Sequence, residues 1–188
     1  MAIQISGTTV VNNSRQLQNI ASLDSTTTNT IAAAAGGGWS QYASGSVSGN
    51  NFALTVPDKD FVKVLFKNIN QTYAYTQDYM RFRRVGSSSV DSGSNYSETG
   101  TPNTTAIQIT PSSNNYYNTP HFVELDLYLP RQTTQGMFGK VRMIHASTSN
   151  NNTRLASFIF RPTTGVNQLS LFNFNSASYT GNYEIWTL

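Results

Sequence analysis

From residue 39 onward the chain alternates apolar and polar residues with a period of two, in short runs separated by Gly, Asn, Ser and Pro. Successive side chains of a β-strand point to opposite faces, so the pattern predicts strands with one buried and one wet face. The runs are 39–47, 51–56, 61–68, 79–85, 106–110, 122–129, 139–146, 155–161, 168–174 and 181–186. Leu125, Leu127 and Leu129 alternate with Asp126 and Tyr128, and Phe158-Ile159-Phe160 and Leu169-Ser170-Leu171 repeat the pattern. Many short strands with turn residues between them, and no amphipathic helix, predict an all-β fold: an antiparallel β-sandwich of jelly-roll type.

The first 38 residues read differently. Ile3 and Ile5 alternate with polar neighbours, Gly7-Thr8 signals a turn, and Thr9-Val10-Val11 resumes an extended run that Asn12-Asn13-Ser14-Arg15 breaks. Two strands this short do not bury a core by themselves, so the segment is expected to dock on a partner surface. Beyond it Leu17, Ile20 and Leu23 recur at spacing three, followed by a Ser/Thr/Asn run, Ala32 to Ala35 and Gly36 to Gly38. Asp24 or Ser25 can cap a short helix running to Ala35, with Gly36 as its stop, and the same composition also suits a flexible linker. The expected organisation is an extended N-terminal arm over 1–23, a helical or linker neck over 24–38 and a β-sandwich domain over 39–188.

Composition refines this picture. Ser, Thr and Asn make up about a third of the chain, while charged residues are only 11% and aromatics reach 12%. The surface is therefore polar but weakly charged, with enough aromatic and aliphatic material for a packed core. The formal charge of +3 comes from 12 basic against 9 acidic residues. A nucleic-acid partner calls for a concentrated basic stripe. The one cluster is Arg81, Arg83 and Arg84, and in a strand Arg81 and Arg83 share a wet face with Phe82 on the other side. No nucleic-acid partner is expected. With no cysteine there is neither a disulfide framework nor a thiolate metal site, so stability has to come from packing and association. The N-terminus lacks the basic and apolar regions of a signal peptide and no apolar run is long enough to span a bilayer, so neither secretion nor membrane insertion is expected.

No residue set carries an expectation of catalysis, a metal or a cofactor. His121 and His145 stand in no HxH or HExxH context. Glu124 and Asp126 share one strand face at i and i+2, about 7 Å apart, but their run turns Val123, Leu125 and Leu127 inward and leaves the carboxylates to solvent. Asp58 and Asp60 flank Lys59 in a turn after Pro57. Gly36 to Gly38 follow alanines rather than a strand and precede Trp39, unlike a phosphate loop, and no serine elbow is present. The chain is expected not to be an enzyme. The loops 86–103, 114–120 and 147–152 are rich in Gly, Ser, Thr and Asn, and their Tyr96, Tyr116 and Tyr117 are candidate surface-recognition residues, because Tyr offers a large contact area at little rotamer cost.

The arm also carries a resemblance. Val10-Val11-Asn12-Asn13-Ser14-Arg15-Gln16-Leu17-Gln18-Asn19-Ile20, within residues 3–27, resembles the V-I-[ND]-x-S-R-x-L-x-N-I segment of bacteriophage tail-fibre and other virion proteins, particularly those of marine and cyanobacterial hosts, with Val11 where isoleucine is common. More loosely, Phe61 to Asn68, Tyr79 to Arg83 and Gly181 to Trp186 are similar to strands of phage β-sandwich modules, though Thr187-Leu188 stands where members often have Gly-Ile. The resemblance implies a virion structural protein, commonly a homotrimer, made in the host cytoplasm and anchored by its N-terminal end with the sandwich outward. The expected function is a tail fibre or short spike subunit. Ile3, Ile5, Val10, Val11, Arg15, Leu17, Ile20 and Leu23 would form the anchoring set against a tail adaptor or capsid protein, and a host-surface glycan would be a further partner. The alternatives are a capsid decoration or cement protein, and a carbohydrate-binding module in which Trp39 or Tyr116-Tyr117 stacks on sugar rings.

Overall fold

The computed structural model describes residues 3–5, 8–11, 38–72, 77–99, 101–110, 120–128, 130, 136–146, 151–162, 164–174 and 176–188. The chain divides into two compact units, Met1–Gly38 and Trp39–Leu188. In the first, β1 (Ile3–Ile5) pairs antiparallel with β2 (Thr8–Val11), with Ile3 opposite Val11 and Ile5 opposite Thr8. The expected helix or linker over 24–35 lies outside the described residues.

The second unit is all-β, as the period-two pattern predicts. In chain order it holds β3 (Ser40–Gly49), β4 (Asn51–Thr55), β5 (Phe61–Gln71), β6 (Asp78–Arg84), β7 (Tyr96–Glu98), β8 (Thr101–Thr104), β9 (Ile107–Gln108), β10 (His121–Tyr128), β11 (Met137–Ala146), β12 (Asn151–Phe160), β13 (Val166–Asn173) and β14 (Tyr179–Thr187). A wide sheet has the order β3-β14-β5-β10-β11-β12-β7-β8, and a narrow one the order β4-β13-β6-β9. All pairings are antiparallel. Because β3 and β5 belong to the wide sheet and β4 and β6 to the narrow one, the chain crosses repeatedly between layers. This weaving makes it a two-layer sandwich with one core between the sheets.

Burial follows the pleat. Along β10 the even positions face outward, while His121, Val123, Leu125 and Leu127 are buried. Met80 and Phe82 of β6, and Leu169 and Leu171 of β13, enter the core from the narrow sheet. Opposite them, Phe82 lies 5.5 Å from Phe160, 5.9 Å from Phe158 and 6.2 Å from Tyr96, ring centre to ring centre. Two glycines permit close approaches here. A Cβ on Gly139 would meet the Phe158 ring at 2.2 Å, so the bare backbone of β11 is what lets that ring lie across it. Gly181 has φ of 148° and sits at an irregularity in the β14–β5 register, where a Cβ would fall 2.9 Å from the carbonyl oxygens of Lys67 and Asn68. Neighbouring Asn68 itself has a left-handed φ of 52°. Asn68 and Ile69 of β5 thus stand opposite the single Gly181, a β-bulge whose geometry glycine and asparagine tolerate.

The segment 86–103, read from composition as a recognition loop, is corrected. It contains β7 and the first part of β8, which form the far edge of the wide sheet. Neither strand shows useful alternation, and Pro102 in β8 is tolerated because it lies on an edge strand. Tyr96 is fully buried, so it offers nothing to an external partner. Its hydroxyl accepts a hydrogen bond from the Phe82 backbone N–H at 2.9 Å and donates one to the Asp91 carbonyl at 2.8 Å. It is a core residue tying β7 to β6.

Candidate functional site

The carboxylates that looked most like a catalytic pair are both occupied. Glu124 and Asp126 point outward from β10 and both contact the Lys63 ammonium of β5, Asp126 at 3.1 Å. Partial burial pulls the Lys63 ammonium down, but the two carboxylates outweigh it and hold the group above its usual value. Among the described residues no three His, Asp or Glu side chains are gathered so as to hold a metal ion.

The two histidines belong to the interior. His121 and His145 are register partners on β10 and β11, and both are buried. His121 Nε2 lies 3.5 Å from Asp78 Oδ2, which reaches across from the narrow sheet. The Tyr179 hydroxyl donates to Asp78 Oδ1 at 2.8 Å, and Asn173 Nδ2 donates to that hydroxyl at 3.0 Å. The Asp78 backbone N–H is satisfied by the Thr110 hydroxyl at 2.8 Å. Burial pushes the Asp78 carboxyl up to about 7, against the opposing pull of the Tyr179 hydrogen bond. Burial also holds the His145 imidazole below its usual value. With Asp78 wholly buried and His121 3% exposed, the cluster is a polar bridge between the sheets.

The outer face of the wide sheet has features of a contact surface. Cross-strand register places Phe61, Tyr128, Phe138 and Ile159 in one row, and Phe61 meets Tyr128 edge-on at 5.8 Å. A second row runs Trp186, Lys63, Asp126, Lys140 and Ser157, and a third runs Glu184, Leu65, Glu124, Arg142 and Leu155. Leu155 is 77% exposed, and Phe138, Ile144 and Ile159 are also open to solvent. Between the first two rows lies a groove of about 400 Å³, lined by Tyr128, Phe138, Lys140, Ser157 and Ile159 with Thr99 at its side. Among the described residues Lys140 and Arg142 have no carboxylate partner, unlike Lys63 and Lys67. At one end of the sheet the Lys63 ammonium stands 5.5 Å from the ring of Trp39. Scattered surface apolar residues need no explanation, but a continuous apolar row across a sheet makes this face a candidate contact surface.

Of the anchoring set, Ile3, Ile5, Val10 and Val11 lie in the β1–β2 hairpin. Arg15, Leu17, Ile20 and Leu23 fall outside the described residues, as do Tyr116 and Tyr117. Arg81 and Arg83 share the outer face of β6, opposite buried Phe82. The wide outer face was missed from sequence, although a signal was present. Leu155 and Ile159 occupy the wet parity of a strand whose other parity is Ala156, Phe158 and Phe160, so that run is apolar on both faces.

No family model matches the chain, and no curated protein matches it.

Proposed function

We propose that this chain is a bacteriophage virion structural protein, a tail fibre or short spike subunit that assembles with two further copies of itself and is anchored by its N-terminal arm. The observation that carries the assembly reading is the outer face of the wide sheet. Its exposed Phe138, Ile144, Leu155 and Ile159 stand in register beside Lys140 and Arg142, cations with no carboxylate partner among the described residues. Covering such a face by a second copy buries apolar area and brings those cations within reach of carboxylates on the neighbour. The resemblance of residues 3–27 to virion proteins supplies the kind of assembly, and a short antiparallel strand pair in a unit of its own suits an anchor.

Cryo-electron microscopy of particles that carry the chain tests this reading. The expected result is density for residues 3–23 in contact with a tail protein and the sandwich projecting outward. Density spread over the capsid lattice would contradict the fibre assignment, and absence of the chain from purified particles would contradict the whole reading.

A further inference from the structure

The outer face of the narrow sheet, on the opposite side of the sandwich, has a different chemistry. Tyr79 of β6, Phe172 of β13 and Phe174 just beyond it form an aromatic cluster, with Tyr79 and Phe174 4.8 Å apart and Phe172 and Phe174 at 5.4 Å and near right angles. The guanidinium carbon of Arg81 lies 4.5 Å from the Phe172 ring centre and 5.8 Å from that of Phe174. Its Nε donates to the Thr105 carbonyl at 2.9 Å, which fixes the side chain while leaving the terminal nitrogens to other partners. Two residues along the strand, Arg83 donates from Nε to the Asn167 side chain at 3.3 Å. Arg84 pairs with Asp91 and Arg154 with Glu98, whereas Arg81 and Arg83 have no carboxylate partner among the described residues.

Beside this cluster lies a cleft of about 420 Å³, walled by Tyr79 and Phe174 and edged by Thr104, Thr105, Gln108 and Glu98, whose carboxylate is paired with Arg154 at 2.6 Å and accepts from the Gln108 backbone N–H. Its size falls within the range of small-ligand sites, and its mix of aromatic wall and a few fixed polar groups is the usual one for them. The Gln108 amide nitrogen donates to the Thr110 carbonyl at 2.6 Å, which orients the carboxamide and leaves its oxygen as an acceptor. Phe174 is 61% exposed, a large ring held in place by its neighbours and open on the side facing solvent.

Three features select the ligand. An exposed ring flanked by hydroxyl and carboxamide groups matches a pyranose, whose C–H face covers the ring while its hydroxyls meet the polar edge. A guanidinium already stacked on an aromatic ring, and with no carboxylate partner among the described residues, presents the fork geometry that binds a carboxylate through two parallel hydrogen bonds. Nucleic acid fits poorly, since the whole chain carries a net charge of only +3 and no basic stripe accompanies the two arginines. We propose that this cleft, together with the Arg81 guanidinium beside its Phe174 wall, binds an acidic saccharide of the uronic-acid type, its sugar ring stacked on Phe174 with an edge against Tyr79 and its carboxylate paired with Arg81. Arg83 extends the cationic track for a following residue. This site needs only the sandwich body, so it goes beyond the virion reading and stands or falls separately from it.

The test is calorimetric titration of the full chain with hexameric oligomannuronate and oligogalacturonate, with neutral mannohexaose as comparison. The expected result is binding of at least one acidic hexamer. Phe174→Ala and Arg81→Gln each weaken it by about tenfold or more, and Lys59→Ala, which removes a charge from a distant exposed turn, leaves it unchanged. Thermal unfolding of each variant checks that the fold is kept. Failure of both acidic hexamers to bind, equal affinity for mannohexaose, or binding indifferent to both cleft substitutions would overturn the proposal. None of these results bears on self-assembly, which depends on the other sheet.

Discussion

Phe82→Ala is expected to lower the unfolding free energy by about 3–5 kcal/mol, the usual cost of emptying a large aromatic site in a packed core. Phe82 is fully buried, and its ring lies against Tyr96 of β7 and Phe158 and Phe160 of β12, so it couples the narrow sheet to the far half of the wide one. Tyr96 and Phe160 are themselves only 4.8 Å apart, and their packing leaves little room to collapse into the space. Against a typical total of about 5–15 kcal/mol this is a large fraction. For a chain of this length it corresponds to a fall in Tm of roughly 10 °C. Chemical denaturation at fixed protein concentration measures it, since association also adds to apparent stability. Phe174→Ala, at an exposed ring, should cost under about 1 kcal/mol in the same assay. Equal losses for the two variants would contradict the core assignment.

A second large effect is the pH dependence contributed by Asp78. In the folded chain burial raises this carboxyl to about 7, from a usual value near 3.8. The folded state therefore keeps a proton that the unfolded chain has released. The stabilisation is complete below about pH 4 and is lost as pH rises to about 7. The carboxyl faces His121 from β10 and the Tyr179 hydroxyl from β14; around it Asn173 of β13 donates to that hydroxyl, the Thr110 hydroxyl accepts from the Asp78 backbone N–H, and His145 on β11 stands opposite His121. Asp78→Asn keeps an acceptor for the Tyr179 hydroxyl and removes the titration. The difference in unfolding free energy between wild type and Asp78→Asn should shift by on the order of 4 kcal/mol across that window, the wild type losing ground as pH rises. Denaturation curves taken at steps between pH 4 and 8 would show it, and parallel profiles for the two proteins would contradict it.

The fold was largely legible in the sequence because a half-buried strand writes its burial into alternate residues. In β10, His-Phe-Val-Glu-Leu-Asp-Leu-Tyr reproduces the pleat residue by residue. What stayed hidden were β7 and β8, whose pairing is set by the neighbour β12 rather than by their own pattern. Tyr96 looked like a loop aromatic because its partners, the Phe82 N–H and the Asp91 carbonyl, are backbone groups that leave no side-chain signature. The Asp78, His121 and Tyr179 bridge was equally hidden, since its members are up to 101 residues apart and only the layering of the two sheets joins them. For the surfaces the limit was different. Arg81 and Arg83 were placed on the outer face of β6, but the aromatic neighbours that Arg81 finds on and beyond β13 depend on which strands pair. The apolar row of the wide face likewise exists only once β5, β10, β11 and β12 are in register.

Whether the wide outer face joins copies of this chain is tested by sedimentation of the 188-residue protein at micromolar concentration. The expected species is three times the 20.7 kDa chain, about 62 kDa, and falls to the single-chain mass in a Leu155→Asp variant. A wild-type protein sedimenting only as the 20.7 kDa chain, or a 62 kDa species unmoved by Leu155→Asp, would contradict it.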